Sequence, residues 1–330
     1  MFFSDNDTDF AAQAKAILPI SAALEREKLW PYLEKVERKY ILPLLGRELY
    51  DDLTKYQSES GSWSGSGEDA QKTAELVSLI RISELNLAFF VGFDVFSVMI
   101  SSAGFQRSES EKFKGLYKYQ ETNLKTLFAE TGYDAIDDIL TYLEDNIEYF
   151  PEWEESATNQ ARLKSLIKDA STFNSICDIK NSRLTFLRLV PFMKQVVDME
   201  IVKAIGTVLW TKLQAEMGSA NPDPKYIALV PKLREPLAFL SSALLVLNTG
   251  DLTDRGLYFE SRNSLYPDPS TSRPGEGDTL AMRYKFYRET GMSYLAAVTK
   301  YLADNSFTEY SGSSESIYNR DNDGKKIFVS

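Results

Sequence analysis

Between positions 29 and 53 the apolar residues Leu29, Leu33, Val36, Ile41, Leu45, Leu49 and Leu53 recur every three to five positions. That is the spacing of a single buried helical face. Pro43 and Gly46 punctuate the run, so it reads as one bent helix or two short ones. Helical spacing also appears at 14–20. The stretch 57–68, QSESGSWSGSGE, is a flexible Gly/Ser loop in which Trp63 stands alone among small polar residues. A long helix follows over 70–100, rich in Leu, Phe and Val on more than one face and therefore central. The segment 101–105 is a turn that ends on Phe105. Helices over 110–128 and 133–147 complete the unit, and Pro151 marks its border.

The pattern then comes round again. Leu29, Pro31, Val36, Ile41, Gly46, Leu49 and Leu53 each have a counterpart 160 positions on, at Leu189, Pro191, Val196, Ile201, Gly206, Leu209 and Leu213. Tyr119, Glu121, Thr122 and Leu127 pair with Tyr287, Glu289, Thr290 and Leu295, and Tyr142 to Asn146 with Tyr301 to Asn305. Further helices are expected over 160–171, 182–217, 224–247 and 279–303. The fold class is thus all-α, a tandem duplication of a bundle of about four to five helices in two pseudo-symmetric lobes. The lobes occupy 1–155 and 156–310, and a tail over 311–330 has the look of a short β-hairpin.

What repeats is apolar spacing, aromatics and turn glycines, so candidate contact surfaces are sought in the loops. Between 256 and 279 the second copy carries LYFESRNSLYPDPSTSRPGEG, long for a helix connection. Tyr258, Phe259, Arg262, Tyr266 and Arg273 in that loop form a candidate interaction surface. Trp63 and Phe105 in the first copy belong to it, as do Ile327 and Phe328 in the tail.

Composition narrows the chemistry. The chain has no histidine, which removes imidazole bases, Ser-His-Asp and Cys-His mechanisms and most catalytic zinc sites. Its one cysteine, Cys177, rules out a disulfide framework and reads as a buried structural thiol. A net charge of −11 argues against binding nucleic acid over the whole surface. Acid is concentrated over 131–155, where Asp134, Asp137, Asp138, Glu144, Asp145, Glu148, Glu152, Glu154 and Glu155 occur without a Lys or Arg. A solvated helix face is the plain reading, and a cation site or a dock for a basic partner the alternative. Asp134, Asp137 and Asp138 alone resemble half of a magnesium-phosphate site, but no second acidic motif or phosphate-binding base set accompanies them. Asp321, Asp323 and Gly324 echo part of a calcium loop without its order or its closing glutamate. The glycines form neither a P-loop nor a dinucleotide fingerprint. No cofactor or metal and no catalysis is expected. The longest apolar stretch is broken by Asp94, and the N-terminus carries acid, so neither a membrane span nor a secretory leader is expected.

The stretch LWPYLEKVERKYILPLLGRELYDDL, with its E-x-x-Y-I-x-P-x-L-G-x-x-L core, precedes the long helix, ISSAGF and YLEDN. Together these resemble a family of uncharacterised proteins of about this length encoded by phages and prophages of gut anaerobes. The second copy, SRLTF followed by LVPFMKQVVDMEIVKAIGTVLWTKL, fits the same pattern. The resemblance implies a virion structural protein, a head-tail connector or ring subunit. Its partners would be portal, connector or tail neighbours and further copies of itself, with neither membrane nor sequence-specific nucleic acid. It would reside in the host cytoplasm and then in the virion. Simple connectors are usually shorter single units, so the tandem copy departs from that pattern. The alternative is a cytosolic binding protein with a ligand or peptide cleft between the lobes.

Overall fold

Asn6 opens the first helix by accepting the backbone N–H groups of Thr8 and Asp9 through its side chain, which satisfies donors the helix itself cannot. This computed structural model describes residues 1–19, 26–60, 67–96, 98–101, 104–107, 116–251 and 277–310. The chain divides into two compact units. The first holds Met1–Lys164 and Ser182–Leu187; the second holds Ser165–Asn181 together with most of the chain from Arg188 onward. The division therefore falls after Lys164 rather than at 155. Both units are mostly helical.

In the first unit α1 (Asp7–Ile17) and α2 (Arg26–Val36) lead into a π-helical turn at Glu37–Ile41, then α3 (Leu42–Leu45) and α4 (Arg47–Ser60). Gly46 stops α3 at φ 81° and ψ 160°, with its N–H on the Leu42 carbonyl. That backbone conformation is open to glycine and closed to almost everything else. The long helices α5 (Glu68–Phe96) and α6 (Lys118–Asp145) pack along each other. Gly132 sets their spacing, since a Cβ there would stand 2.6 Å from Leu87 Cγ. Two strands, β1 (Val98–Ser101) and β2 (Gly104–Arg107), form an antiparallel ribbon beyond α5. Short helices α7 (Pro151–Glu154) and α8 (Ala157–Leu163) close the unit. Leu29, Leu33, Val36, Ile41, Leu45, Leu49 and Leu53 are all buried, in one cluster with Phe2, Phe3, Phe10 and Trp153.

The second unit runs through α9 (Ala170–Ile176), α10 (Arg183–Val196, of which the start through Leu187 belongs to the first unit), a π-helical turn at Val197–Ile201, α11 (Val202–Ile205), α12 (Thr207–Met217), α13 (Pro224–Ile227), α14 (Leu229–Asp251) and α15 (Gly277–Asp304). Asp169 caps α9 through the Thr172 N–H, as Asn6 caps α1. Gly206 stops α11 at φ 88° and ψ 148°. Leu189, Met193, Val196, Ile201, Ile205, Leu209 and Leu213 are buried, seven positions matched one for one by the run in the first unit. Gly291 meets Leu240 as Gly132 meets Leu87, at 2.6 Å from Cγ. Arg81 Nε donates to the Phe2 carbonyl at 2.7 Å, and Arg234 Nε donates to the Leu166 carbonyl at 2.9 Å.

Several expectations change. The two helices expected over 110–128 and 133–147 are the single helix α6, because Gly132 is a packing residue within it. The long helix ends at Phe96, and the residues toward 100 leave it to pair as strand. The helix expected over 160–171 is two short ones, α8 and α9. Gly132 and Gly291 meet Leu87 and Leu240 at the same distance, and each follows a Glu-Thr pair, Glu130-Thr131 and Glu289-Thr290. Among the described residues β1 and β2 are the only strands. The hairpin expected over 311–330 lies outside the described residues, as does nearly all of the loop over 256–279.

Candidate functional site

The residues picked out as an interaction surface fall mostly outside the described structure: Trp63, Tyr258, Phe259, Arg262, Tyr266, Arg273, Ile327 and Phe328. Phe105 lies in β2, paired with Ile100 of β1.

The acidic segment separates into distinct duties. Asp137 Oδ1 accepts the Leu184 N–H at 2.7 Å and so caps the first turn of α10. Glu144 takes ion pairs from Arg183 at 2.9 Å and Arg162 at 3.5 Å. Asp134, Asp138 and Asp145, four and seven residues apart on α6, fall on one face and are exposed. Asp137 thus leaves the trio suggested by spacing, and no group of three His, Cys, Asp or Glu residues able to hold a metal ion occurs among the described residues. Cys177 is buried against Ser242 Oγ at 3.4 Å, and burial pushes its thiol upward, away from the thiolate a nucleophile needs.

A buried polar cluster in the first unit was not anticipated. Glu84 on α5 is fully buried, and among the described residues neither of its oxygens has a hydrogen-bond partner. Burial, reinforced by the charge of Glu37, holds its carboxyl well above the usual range. Glu37 in the π-helical turn accepts from the Tyr50 hydroxyl at 3.0 Å and pairs with the Met1 amine at 2.8 Å. At the matching places the second unit has Val197, Trp210 and Leu237. The signal of Glu84 in the sequence was an acid close to Ile82, Leu85 and Leu87 on the long helix.

The second unit offers a surface instead. A groove of about 270 Å³ is lined by Gln195, Met199, Glu200, Ala243, Tyr284 and Arg288, among others. Arg288 reaches Glu200 at 3.6 Å across it. Next to the groove the first half of α15 exposes Met282 at 71% and Phe286 at 60%, flanked by exposed Arg283 and Lys285. The alternation of bases and aromatics in Met282 to Arg288 is readable in the sequence.

The family model DUF6712, described as a family of unknown function, matches residues 41–162 and 251–320. No curated protein and no solved structure matches the chain.

Proposed function

The chain belongs to the DUF6712 family of unknown function, and from that premise we propose that it is a non-catalytic structural subunit of a tailed phage or prophage virion. Within that class the reading is a head-tail connector or ring subunit, made in the host cytoplasm and built into the particle beside portal, connector or tail proteins. It also takes the chain to be a tandem duplication of one helical unit. Support for the duplication comes from the matched π-helical turns, the positive-φ glycines and the paired Gly-Leu contacts.

One observation carries the structural role. What the two units share is scaffold, whereas the buried carboxyls of Glu37 and Glu84 occur in one unit alone. An active site is a constellation of reactive groups, while a structural subunit needs rigid units with surfaces to present. One described helix, Glu68–Phe96, is apolar and long enough to cross a membrane, and 56% of its most apolar stretch is buried inside the molecule. Here it serves as the core helix of its unit.

The test is quantitative mass spectrometry of gradient-purified particles from an induced host carrying the gene. The expected result is the chain at a fixed ratio to the portal protein. Particles rich in capsid and portal but lacking the chain would overturn the reading and favour a soluble binding protein, for which the groove over Glu200 and Arg288 is the place to look.

A further inference from the structure

We propose that the exposed face of α15 around Met282, Arg283, Lys285 and Phe286 docks on the Asp134, Asp138 and Asp145 face of α6 in a second copy of this chain. The inference rests on the structural-subunit reading and names a contact that would build the assembly.

The argument is charge complementarity between two faces that are each exposed. On α15, two large apolar side chains stand in solvent between two cations. Apolar groups framed by charge on an outer helix face mark a contact surface, and Arg and Lys stems widen it. On α6, three carboxylates share a face within a segment that has no Lys or Arg.

Comparison of the units sharpens the point. Where α15 has Arg283, Lys285 and Phe286, α6 has Leu124, Thr126 and Leu127; where α6 has Asp134 and Asp138, α15 has Ser293 and Ala297. Each unit thus carries one half of a charged pair of surfaces and lacks the other half. Two such complementary faces can pair reciprocally in a closed twofold dimer or singly in a head-to-tail contact, which propagates and closes into a ring if the rotation per copy allows. Nucleic acid suits α15 less well. The chain's net charge of −11 disfavours a polyanion there.

The experiment uses the full-length protein and sedimentation velocity at low and high salt. Two double variants, Arg283→Glu with Lys285→Glu and Asp134→Lys with Asp138→Lys, are studied singly, mixed and combined in one chain. All four positions are exposed, and thermal melts check that each variant folds. The wild type is expected to form a salt-sensitive assembly, each double variant alone to sediment as monomer, and both the mixture and the combined variant to recover the assembly.

Reversal variants that assemble like the wild type, or a wild type that stays monomeric at high concentration, would overturn the contact. So would an α15 variant that loses only retention of DNA in a gel while its mass is unchanged. If the chain is found in particles but the reversals change nothing, the contact fails and the virion role stands. If the faces pair as described but particles lack the chain, the contact stands and the virion role fails.

Discussion

Gly132 lies so close to Leu87 that a methyl group in place of its hydrogen would stand 2.6 Å from the leucine Cγ. Gly291 repeats the contact with Leu240 at the same distance. A helical glycine ordinarily costs about 1 kcal/mol relative to alanine. Overpacking a fitted contact costs about 1–3 kcal/mol, which outweighs that gain. Gly132→Ala and Gly291→Ala are each expected to lower stability, by similar amounts, in urea or guanidinium unfolding. A stabilised variant would show that the helices part easily.

Gly46 and Gly206 separate strain from crowding. Both sit at positive φ, 81° and 88°, yet only Gly46 has a neighbour within reach, Ser156 Cβ at 3.2 Å from where its own Cβ would be. Alanine at either position meets a backbone strain of about 1–3 kcal/mol. Gly46→Ala is expected to be the more damaging, and Gly206→Ala to show the strain alone. Equal losses in paired thermal melts would mean that the Ser156 contact relaxes at no cost.

Glu84 makes stability depend on pH. Its folded carboxyl titrates well above the value of 4.5 expected when exposed. The folded state therefore holds a proton that the unfolded state releases in the window between those two values. Stability contributed by the protonated form is complete below the unfolded value and is lost as pH rises, at about 1.4 kcal/mol per pH unit, until the folded group ionises. Glu84→Leu, the residue of the second unit, should remove this dependence and gain about 1–3 kcal/mol at mildly alkaline pH. Denaturant midpoints across a pH series would check it, and parallel curves for variant and wild type would refute it.

The acidic helix is expected to act through a cap and not through a metal. Asp137→Ala should cost about 1 kcal/mol by uncapping α10. Isothermal titration of the wild-type protein with magnesium or manganese should show no heat of binding at millimolar concentration. Binding that disappears in Asp134→Ala would restore the metal reading.

The buried face of 29–53 was legible because a helix hides residues at a fixed period, and each of its seven apolar positions is in the core. The π-helical turn inside that run was not legible, since one residue of extra winding leaves the order of apolar and polar positions unchanged. The single helix through Gly132 was misread for a different reason. Propensity marks glycine as a breaker, whereas only tertiary packing reveals that the missing side chain is what lets Leu87 in. Glu84 was visible as an acid among apolar neighbours, but its solitude depends on what surrounds it in three dimensions. The interaction residues chosen from loop composition fall almost wholly outside the described residues, while the exposed bases and aromatics of α15 stood in a segment dismissed as regular helix.

The closeness of Leu87 to Gly132 also has a meaning during synthesis. Helix α5 is long and apolar, and it leaves the ribosome before the partner helix that carries Gly132 has emerged to cover it. For that interval its inner face has no α6 to cover it, and the nascent chain is at its most adhesive. The same delay recurs between Leu240 and Gly291. The nascent chain thus passes through two adhesive intervals, each ending when the partner helix emerges.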